Sequence, residues 1–457
     1  MRPVNDKPNI ILINCDDLGY GDLGCYGSRA HRTPAADSLA RDGVTFTDFY
    51  MASPVCSPSR GAMMTGCYPR RIGFGSFEGR WVLFPGQPLG LSTDEVTVAR
   101  LLKDRGYATK LVGKWHCGDQ KAFLPTRHGF DGYYGLPYSN DMGIQRGRRR
   151  RWPPLPLLRD EEVIQAQPDQ ANLIERYTEE CVRYLRENRD RPFFLYLAHM
   201  QVHLPLYAPQ RFVAGSLNGR YGACVEAVDW STAVLLDELN RLGLADRTLV
   251  VFTSDNGGRA KEGGSNAPLR GTKGTCYEGG QRVPCLMRLP GMIPAGRVCG
   301  EVVTSMDFLP TFAALAGGAA PDDRIIDGAD VRALMAGQAG ARSPHEAFFY
   351  YRCDQLQAVR SGPWKLWVCR DDAEVKELYN LRDDVGETTN LYERRVDVVA
   401  ELMPRVAAAR EDLGDAFVGA EGANCRPPGR VGDPAPLLTY DASHPYIIAE
   451  YDLEQAG

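Results

Sequence analysis

The chain has 457 residues, 44% of them hydrophobic and 24% charged, with a formal net charge of −5. That length exceeds one ordinary compact core and points to about two domains. The weakly acidic balance gives no reason to expect nucleic acid or an acidic membrane as partner, and no run of about 18 apolar residues predicts a membrane span.

The opening Met-Arg-Pro-Val-Asn-Asp-Lys-Pro has no apolar signal core and leads straight into a strand-like run. As it stands this reads as a cytoplasmic protein, or a periplasmic or secreted one if a signal has been removed. The 13 cysteines are odd in number, irregularly spaced and without a CxxC pair, so reduced thiols are expected rather than a disulfide framework.

In chain order, Asn9–Asn14 reads as a buried strand and Ala36–Asp42 as a short helix. Thr93–Arg105 carries an apolar stripe at Val96, Ala99, Leu101 and Leu102 and predicts a helix ending before Gly106; Tyr107–Val112 is the next strand. The basic tract 146–151 reads as an exposed loop near the substrate entrance. Ala171–Arg189 has helical period, Pro192–Ala198 is an apolar strand, Gly222–Leu242 a long helix and Thr248–Thr253 a further buried strand. This alternation predicts an α/β fold with a large, mostly parallel central sheet flanked by helices. After about Ser343 the texture changes. Ala347–Tyr351, Gln357–Arg360, Trp364–Cys369 and Glu377–Leu381 read as short strands, and Val398–Leu413 as a helix that Pro404 kinks or begins. The expected division is a catalytic domain over 1–343 and a smaller one over 344–457, with a four-stranded antiparallel sheet, a helix and an extended tail.

Reactive side chains fall after the strands, where an α/β enzyme keeps its site. Asp16 and Asp17 follow the first strand, and Asp255 and Asn256 follow Thr248–Thr253. Three carboxylates and an amide oxygen can form an all-oxygen cage for a hard divalent cation, and like charges so close are costly without a cation. Lys114 and His116, two apart after a third strand, point the same way on an extended chain. His199 and His203 follow a fourth, and Lys273 lies among glycines and threonines suited to close approach of an anion. In Cys56-Ser57-Pro58-Ser59-Arg60, Ser57 is a good N-cap, Pro58 suits the first helical position and Gly66 a helix end. Cys56 is then expected just before a helix N-terminus that favours negative charge, with Arg60 one turn inside.

Cys-x-Pro-Ser-Arg followed by Thr65-Gly66 resembles the signature of the sulfatase family. Asp-Asp-x-Gly-Tyr-Gly-Asp, Gly-Lys-Trp-His, His-x-Pro, Ser-Asp-Asn-Gly and Lys-Gly-x-x-Tyr-Glu-Gly-Gly-x-Arg-Val-Pro also resemble it, in order, over residues 16 to 284. Gly135-Leu136-Pro137-Tyr138-Ser139-Asn140-Asp141 resembles a segment of the arylsulfatase A-like branch. The resemblance implies a sulfuric ester hydrolase of the alkaline phosphatase superfamily. It implies that a formylglycine-generating enzyme oxidises Cys56 to Cα-formylglycine, whose hydrate is the nucleophile. It further implies that Asp16, Asp17, Asp255 and Asn256, beside residue 56, bind Ca²⁺, with Mg²⁺ as the alternative, and that Arg60 orients the hydrate. Lys114 and Lys273 would neutralise sulfate oxygens, His116 would handle protons of the hydrate and His203, preferred over His199 because it precedes Leu204-Pro205, would protonate the leaving oxygen. Ser139 is a further candidate for substrate binding. The expected substrate is a sulfated small molecule or carbohydrate, aryl sulfates included; oligomeric state stays open. The nearest rival is a phosphonate monoester or phosphodiester hydrolase of the same superfamily, whose members tend to carry Asp-Gln where this chain has Asp16-Asp17. A binding homologue that has lost catalysis is the rival from another class.

Overall fold

A computed structural model describes residues 7–147, 152–438, 448–453 and 455. Its frame follows from the strand Asn9–Cys15, in which every side chain is buried. Successive residues of a strand face opposite sides of a sheet. Ile10 and Leu12 accordingly enter one apolar core, while Ile11, Ile13 and Cys15 enter another. A strand buried on both faces belongs at the centre of a parallel sheet with helices above and below. The first core takes in Met63 and Met64 of the helix Cys56–Thr65, Val98, Ala99 and Leu102 of Val98–Asp104, and Phe308 and Phe312 of Phe308–Leu315. The second is covered by the helices Pro34–Arg41, Gln170–Glu187 and Gly219–Arg241.

Among the described residues this sheet has ten strands. Thr248–Ser254, Asn9–Cys15, Phe193–Ala198, Ala108–Gly113 and Gly132–Gly135 lie side by side in parallel. Cys285–Arg288 and Pro156–Arg159 join the two flanks antiparallel. The expected α/β sheet is therefore observed. Its flanking strands Val44–Phe46, Cys285–Arg288, Pro156–Arg159 and Glu162–Ala166 were not anticipated, because three to five residues carry too little periodicity. Predicted helices differ mainly at their starts. Val98–Asp104 begins late because the Thr97 side chain caps it, accepting from the Arg100 N–H.

The four strands Phe348–Arg352, Gln355–Ser361, Trp364–Arg370 and Ala373–Asn380 form a separate antiparallel sheet in sequential order. The helix Val396–Asp412 lays Val398, Val399, Leu402, Val406 and Ala409 against it. Pro404 sits on the exposed side in the middle of that helix rather than at its start. The basic tract falls largely on 148–151, outside the described residues. No helix among the described residues is long and apolar enough to cross a membrane, and the thirteen cysteines are all unpaired.

A buried charge hub ties the small sheet to the segment around Cys276 and Glu278. Lys365 Nζ reaches the Cys276 carbonyl at 2.8 Å and the carboxylates of Glu278 and Glu387 at 3.0 Å each. Glu278 also accepts from Tyr50 and Tyr350, and Glu387 accepts from the Trp367 indole and from the Glu278 main-chain N–H. Removing one partner of such a hub leaves charge buried without compensation. Lys365→Met should therefore destabilise the protein by about 3–5 kcal/mol, read as a lower thermal unfolding midpoint. An unchanged midpoint would show that other contacts hold the small sheet in place.

Candidate functional site

The five adjacent parallel strands all end at one edge, and the hydrogen-bond pattern continues past their ends. Asp16 N–H donates to the Gln201 carbonyl at 2.8 Å, Asp255 N–H to Cys15 at 3.0 Å, Lys114 N–H to Ala198 at 2.7 Å and His116 N–H to Pro137 at 3.0 Å. Side chains more than 200 residues apart in sequence thus share one rigid ledge. Gly113 shows how close the strands come: its φ is +111°, and a Cβ there would lie 1.8 Å from the Ala198 carbonyl oxygen.

Cys56 is the first residue of its helix, not the residue before it. Val55 is the cap, extended at φ −142°. Ser57 is therefore not the cap, and its hydroxyl instead accepts from the Leu83 N–H at 3.1 Å. Pro58 stays within the first turn, where an N–H has no helical partner in any case, and Gly66 ends the helix in the left-handed region as expected. The helix N-terminus still points its dipole at Cys56. Burial pushes the Cys56 thiol up to about 12, against the pull of Lys114 and Lys273, so an unmodified thiol here stays protonated.

The acidic and basic candidates converge. Lys114 Nζ lies 2.5 Å from Asp16 Oδ2 and 3.0 Å from Ser139 Oγ. Lys273 Nζ donates to Asp17 Oδ2 at 2.8 Å. Arg60 is fully buried, pairs with Asp255 Oδ2 at 2.8 Å and donates to the Lys114 carbonyl at 2.9 Å. Cys56 Sγ is 3.6 Å from Asp16 Oδ1. Burial pushes the Asp16 and Asp17 carboxyls up, but Lys114 on Asp16 and Lys273 on Asp17, helped by His203 on each, hold both below the usual carboxylate range. Asp255 is raised to about 6 by burial and by the nearby Asp16.

The three carboxylates do not by themselves demand a metal, because Lys114, Lys273 and Arg60 already pair with them. A different observation makes the residues fit a cation. Asn256 donates through Nδ2 to Asp17 Oδ1 at 2.8 Å, while its buried Oδ1 has no hydrogen-bond partner among the described residues. An orphaned buried acceptor beside carboxylate oxygens suits a hard divalent ion. Ligand atoms of Asp16, Asp17, Cys56 and His203 also lie within 4.8 Å of one another.

The histidines separate in role. His203 Nδ1 faces two oxygens, Leu204 O at 2.6 Å and Asn140 Oδ1 at 3.1 Å. Its Nε2 is 3.4 Å from Ser139 Oγ and 3.8 Å from Asp17 Oδ2. His116 Nε2 meets the Leu83 carbonyl at 3.0 Å, so it carries the hydrogen and Nδ1 keeps its lone pair. Lys114 and His116 do not share a face of extended chain as expected, because the chain turns at Gly113 and His116 has φ +62°. His199 is buried, with neither ring nitrogen hydrogen-bonded among the described residues, and lies outside the cavity. Burial lowers the pKa of His203, with Lys273 adding to the effect.

Above this ledge opens a cavity of about 580 Å³ lined by Cys56, His116, Ser139, His203 and Lys273. Lys114, Arg60 and the aspartates lie beneath its floor. The outer wall comes from Trp81, Val82 and Phe84 on one side and Arg259, Lys261 and Glu262 on another. Sequence reasoning missed these wall residues, since loops carry no period to read; Trp81, an aromatic in a Gly-rich loop, was the one available signal.

The fold and this cavity define an enzyme that handles a small anionic group at the strand ends of an α/β sheet. A family model described as Sulfatase matches residues 8–319, and one described as N-sulphoglucosamine sulphohydrolase, C-terminal, matches residues 272–412. The steryl-sulfatase of Mus musculus is 40% identical over 443 residues, covering 79% of this chain and 71% of its own. Arylsulfatase A of Homo sapiens is 38% identical over 451 residues, covering 89% and 87%. The solved structure of Ps i-CgsB in complex with k-i-k-neocarrahexaose superposes with a TM-score of 0.78 at 31% identity, over 88% of this chain and 92% of its own. The chain belongs to the sulfatase family and is a sulfuric ester hydrolase.

Calcium added to metal-stripped protein should raise the thermal midpoint, by the equivalent of about 2.7 kcal/mol at a hundredfold excess over Kd. Asn256→Leu should weaken that shift markedly. An equal shift in wild type and variant would place the ion elsewhere.

Proposed function

We propose that this sulfatase hydrolyses sulfate monoesters of carbohydrates or aryl alcohols, with residue 56 acting as formylglycine and a divalent cation bound by Asp16, Asp17, Asp255 and Asn256. The observation that carries the reading is the position of Cys56. It opens a helix at the floor of a cavity, 3.6 Å from Asp16 and facing the same space as Lys273, His116 and His203. Formylglycine supplies, as its hydrate, the oxygen nucleophile, and the cation supplies Lewis acidity that lowers a bound hydroxyl's pKa.

The chain's own residues do the rest. Arg60 ties the Asp255 carboxylate to the Lys114 carbonyl and so holds two strand ends in register beneath the nucleophile. Lys273 and Lys114 bring fixed positive charge to the sulfate oxygens, where preorganised charge is commonly the largest catalytic effect. His116 presents the lone pair of Nδ1 and takes a proton from the nucleophile. His203 presents Nε2 and gives a proton to the leaving oxygen. Ser139 lies between Lys114 and His203 and orients both. The outer wall, aromatic at Trp81 and charged at Arg259 and Lys261, suits the flat face of a sugar or aryl ring bearing polar groups. A formylglycine-generating enzyme is the partner required for maturation.

Made beside such an enzyme, the peptide containing residue 56 should show conversion by mass spectrometry, and Cys56→Ala should lose turnover while keeping its thermal midpoint. Fully unmodified Cys56 in highly active enzyme would refute the mechanism.

A second expectation separates two residues. His203→Ala should lose roughly 10²–10⁴-fold in kcat/KM on a sugar sulfate but far less on nitrophenyl sulfate, whose leaving group is a weak base. Lys273→Ala should slow both substrates alike, because both present the same sulfate oxygens. The reverse pattern would exchange the two assignments.

A further inference from the structure

Behind His203 lies a closed amide pair. Asn140 Nδ2 donates to Gln170 Oε1 at 2.8 Å, and Gln170 Nε2 donates back to the Asn140 main-chain carbonyl at 2.9 Å. The Pro205 carbonyl lies a further 3.4 Å from Asn140 Nδ2. These partners determine which end of the Asn140 amide faces the imidazole. A flipped amide would set its oxygen against two other oxygens and its NH₂ against the ring. Asn140 Oδ1 therefore meets His203 Nδ1 at 3.1 Å.

Leu204 O is nearer to the same nitrogen, at 2.6 Å, but Leu204 is the next residue and moves with the ring. Asn140 comes from another strand end, the loop after Gly132–Gly135, and gives the ring an external reference. Gln170 in turn opens the helix Gln170–Glu187, and the Tyr451 hydroxyl closes the outside by donating to the Pro168 carbonyl at 2.7 Å. Asn140 and Gln170 are each 1% exposed and neither lines the cavity. Buried polar side chains in a closed pair, unable to touch substrate, act through the group they hold.

We propose that Asn140, held by Gln170, is a positioning residue that fixes the orientation and tautomer of His203. Nδ1 keeps its hydrogen toward Asn140 Oδ1; Nε2, turned to the leaving oxygen, carries the second hydrogen of the doubly protonated ring, and giving that proton away leaves the neutral Nδ1–H tautomer. The inference rests on the reading of His203 as proton donor. It predicts a loss that depends on the leaving group, which a purely structural role would not produce.

The test compares kcat and KM on a sugar sulfate and on nitrophenyl sulfate for wild type, Asn140→Leu, Asn140→Asp, Gln170→Met and His203→Ala. Asn140→Leu should lose on the order of 10–10²-fold on the sugar sulfate, mainly in kcat, with nitrophenyl sulfate nearly unchanged. Asn140→Asp keeps an oxygen at Nδ1 but sets its second oxygen against Gln170 Oε1 and the Pro205 carbonyl, so it should recover part of that loss. Gln170→Met lies one residue further from the ring and should show the same selectivity in weaker form, so it serves if Asn140→Leu does not fold. Equal losses on both substrates, or an Asp variant no better than the Leu variant at unchanged thermal midpoint, would overturn the proposal. If His203→Ala itself shows no dependence on the leaving group, the proton-donor reading fails and the inference goes with it. If His203→Ala shows the dependence and the amide variants do not, only the positioning role is lost.

Discussion

Three buried carboxylates and three cations, two of them buried, sit within one ledge, and the rest of the molecule is arranged to make that tolerable. Asp16 with Lys114 and Asp255 with Arg60 are completely buried or nearly so, and Asp17 is buried against Lys273, which opens onto the cavity. Ions taken out of water cost several kcal/mol apiece unless partners stand within hydrogen-bond reach. Such partners can be held there only by a rigid frame. The five parallel strands are that frame: Asp16, Lys114 and Asp255 each directly follow a strand end, cross-strand main-chain bonds run on into the loops, and Arg60 from the helix Cys56–Thr65 and Lys273 from a loop reach in to meet them.

The same ledge explains why the nucleophile's helix starts where it does. Ser59 donates to the Asp255 carbonyl at 2.5 Å and Arg60 to its carboxylate, so the first turn of Cys56–Thr65 is bolted to a strand end rather than capped by its own Ser57. A local capping preference of about 1 kcal/mol gives way to two bonds that include a buried ion pair. Cys56 thereby projects from the first turn into the cavity, beside the helix dipole and two lysines.

The small antiparallel sheet contributes by holding the segment that carries Lys273. Cys276, Tyr277 and Glu278 follow that lysine closely; Lys365 and Tyr350 of the small sheet hydrogen-bond Cys276 and Glu278, and the Trp367 ring packs against Tyr277. Catalytic charge and domain packing are therefore not independent. A change in the small sheet reaches the cavity through a few residues of loop.

The α/β class, the central strands and the residues that meet at the site were legible in the sequence. Buried parallel strands are continuous apolar runs, and reactive groups in an α/β enzyme follow such runs directly, so Asp16, Lys114, His203 and Asp255 could be found by position. Cys56 and Lys273 could be found by their motifs. Legibility failed where the deciding interaction came from elsewhere in the chain. The cap of the Cys56 helix was misplaced because Asp255, some 200 residues on, takes over the first turn. The need for a metal was argued from carboxylate repulsion, which Lys114, Lys273 and Arg60 relieve once the chain folds. The cavity wall at Trp81 and Arg259, and the amide pair behind His203, follow no local period. Asn140 and Gln170 are 30 residues apart, and each is an ordinary polar residue until the sheet and the helix bring them together. Composition, period and motif thus determined the architecture and the chemical groups. The partner of each buried charge, and the direction in which each imidazole points, were decided only by tertiary structure, because desolvated polar groups take whichever complementary partner the folded chain places within 3 Å or so.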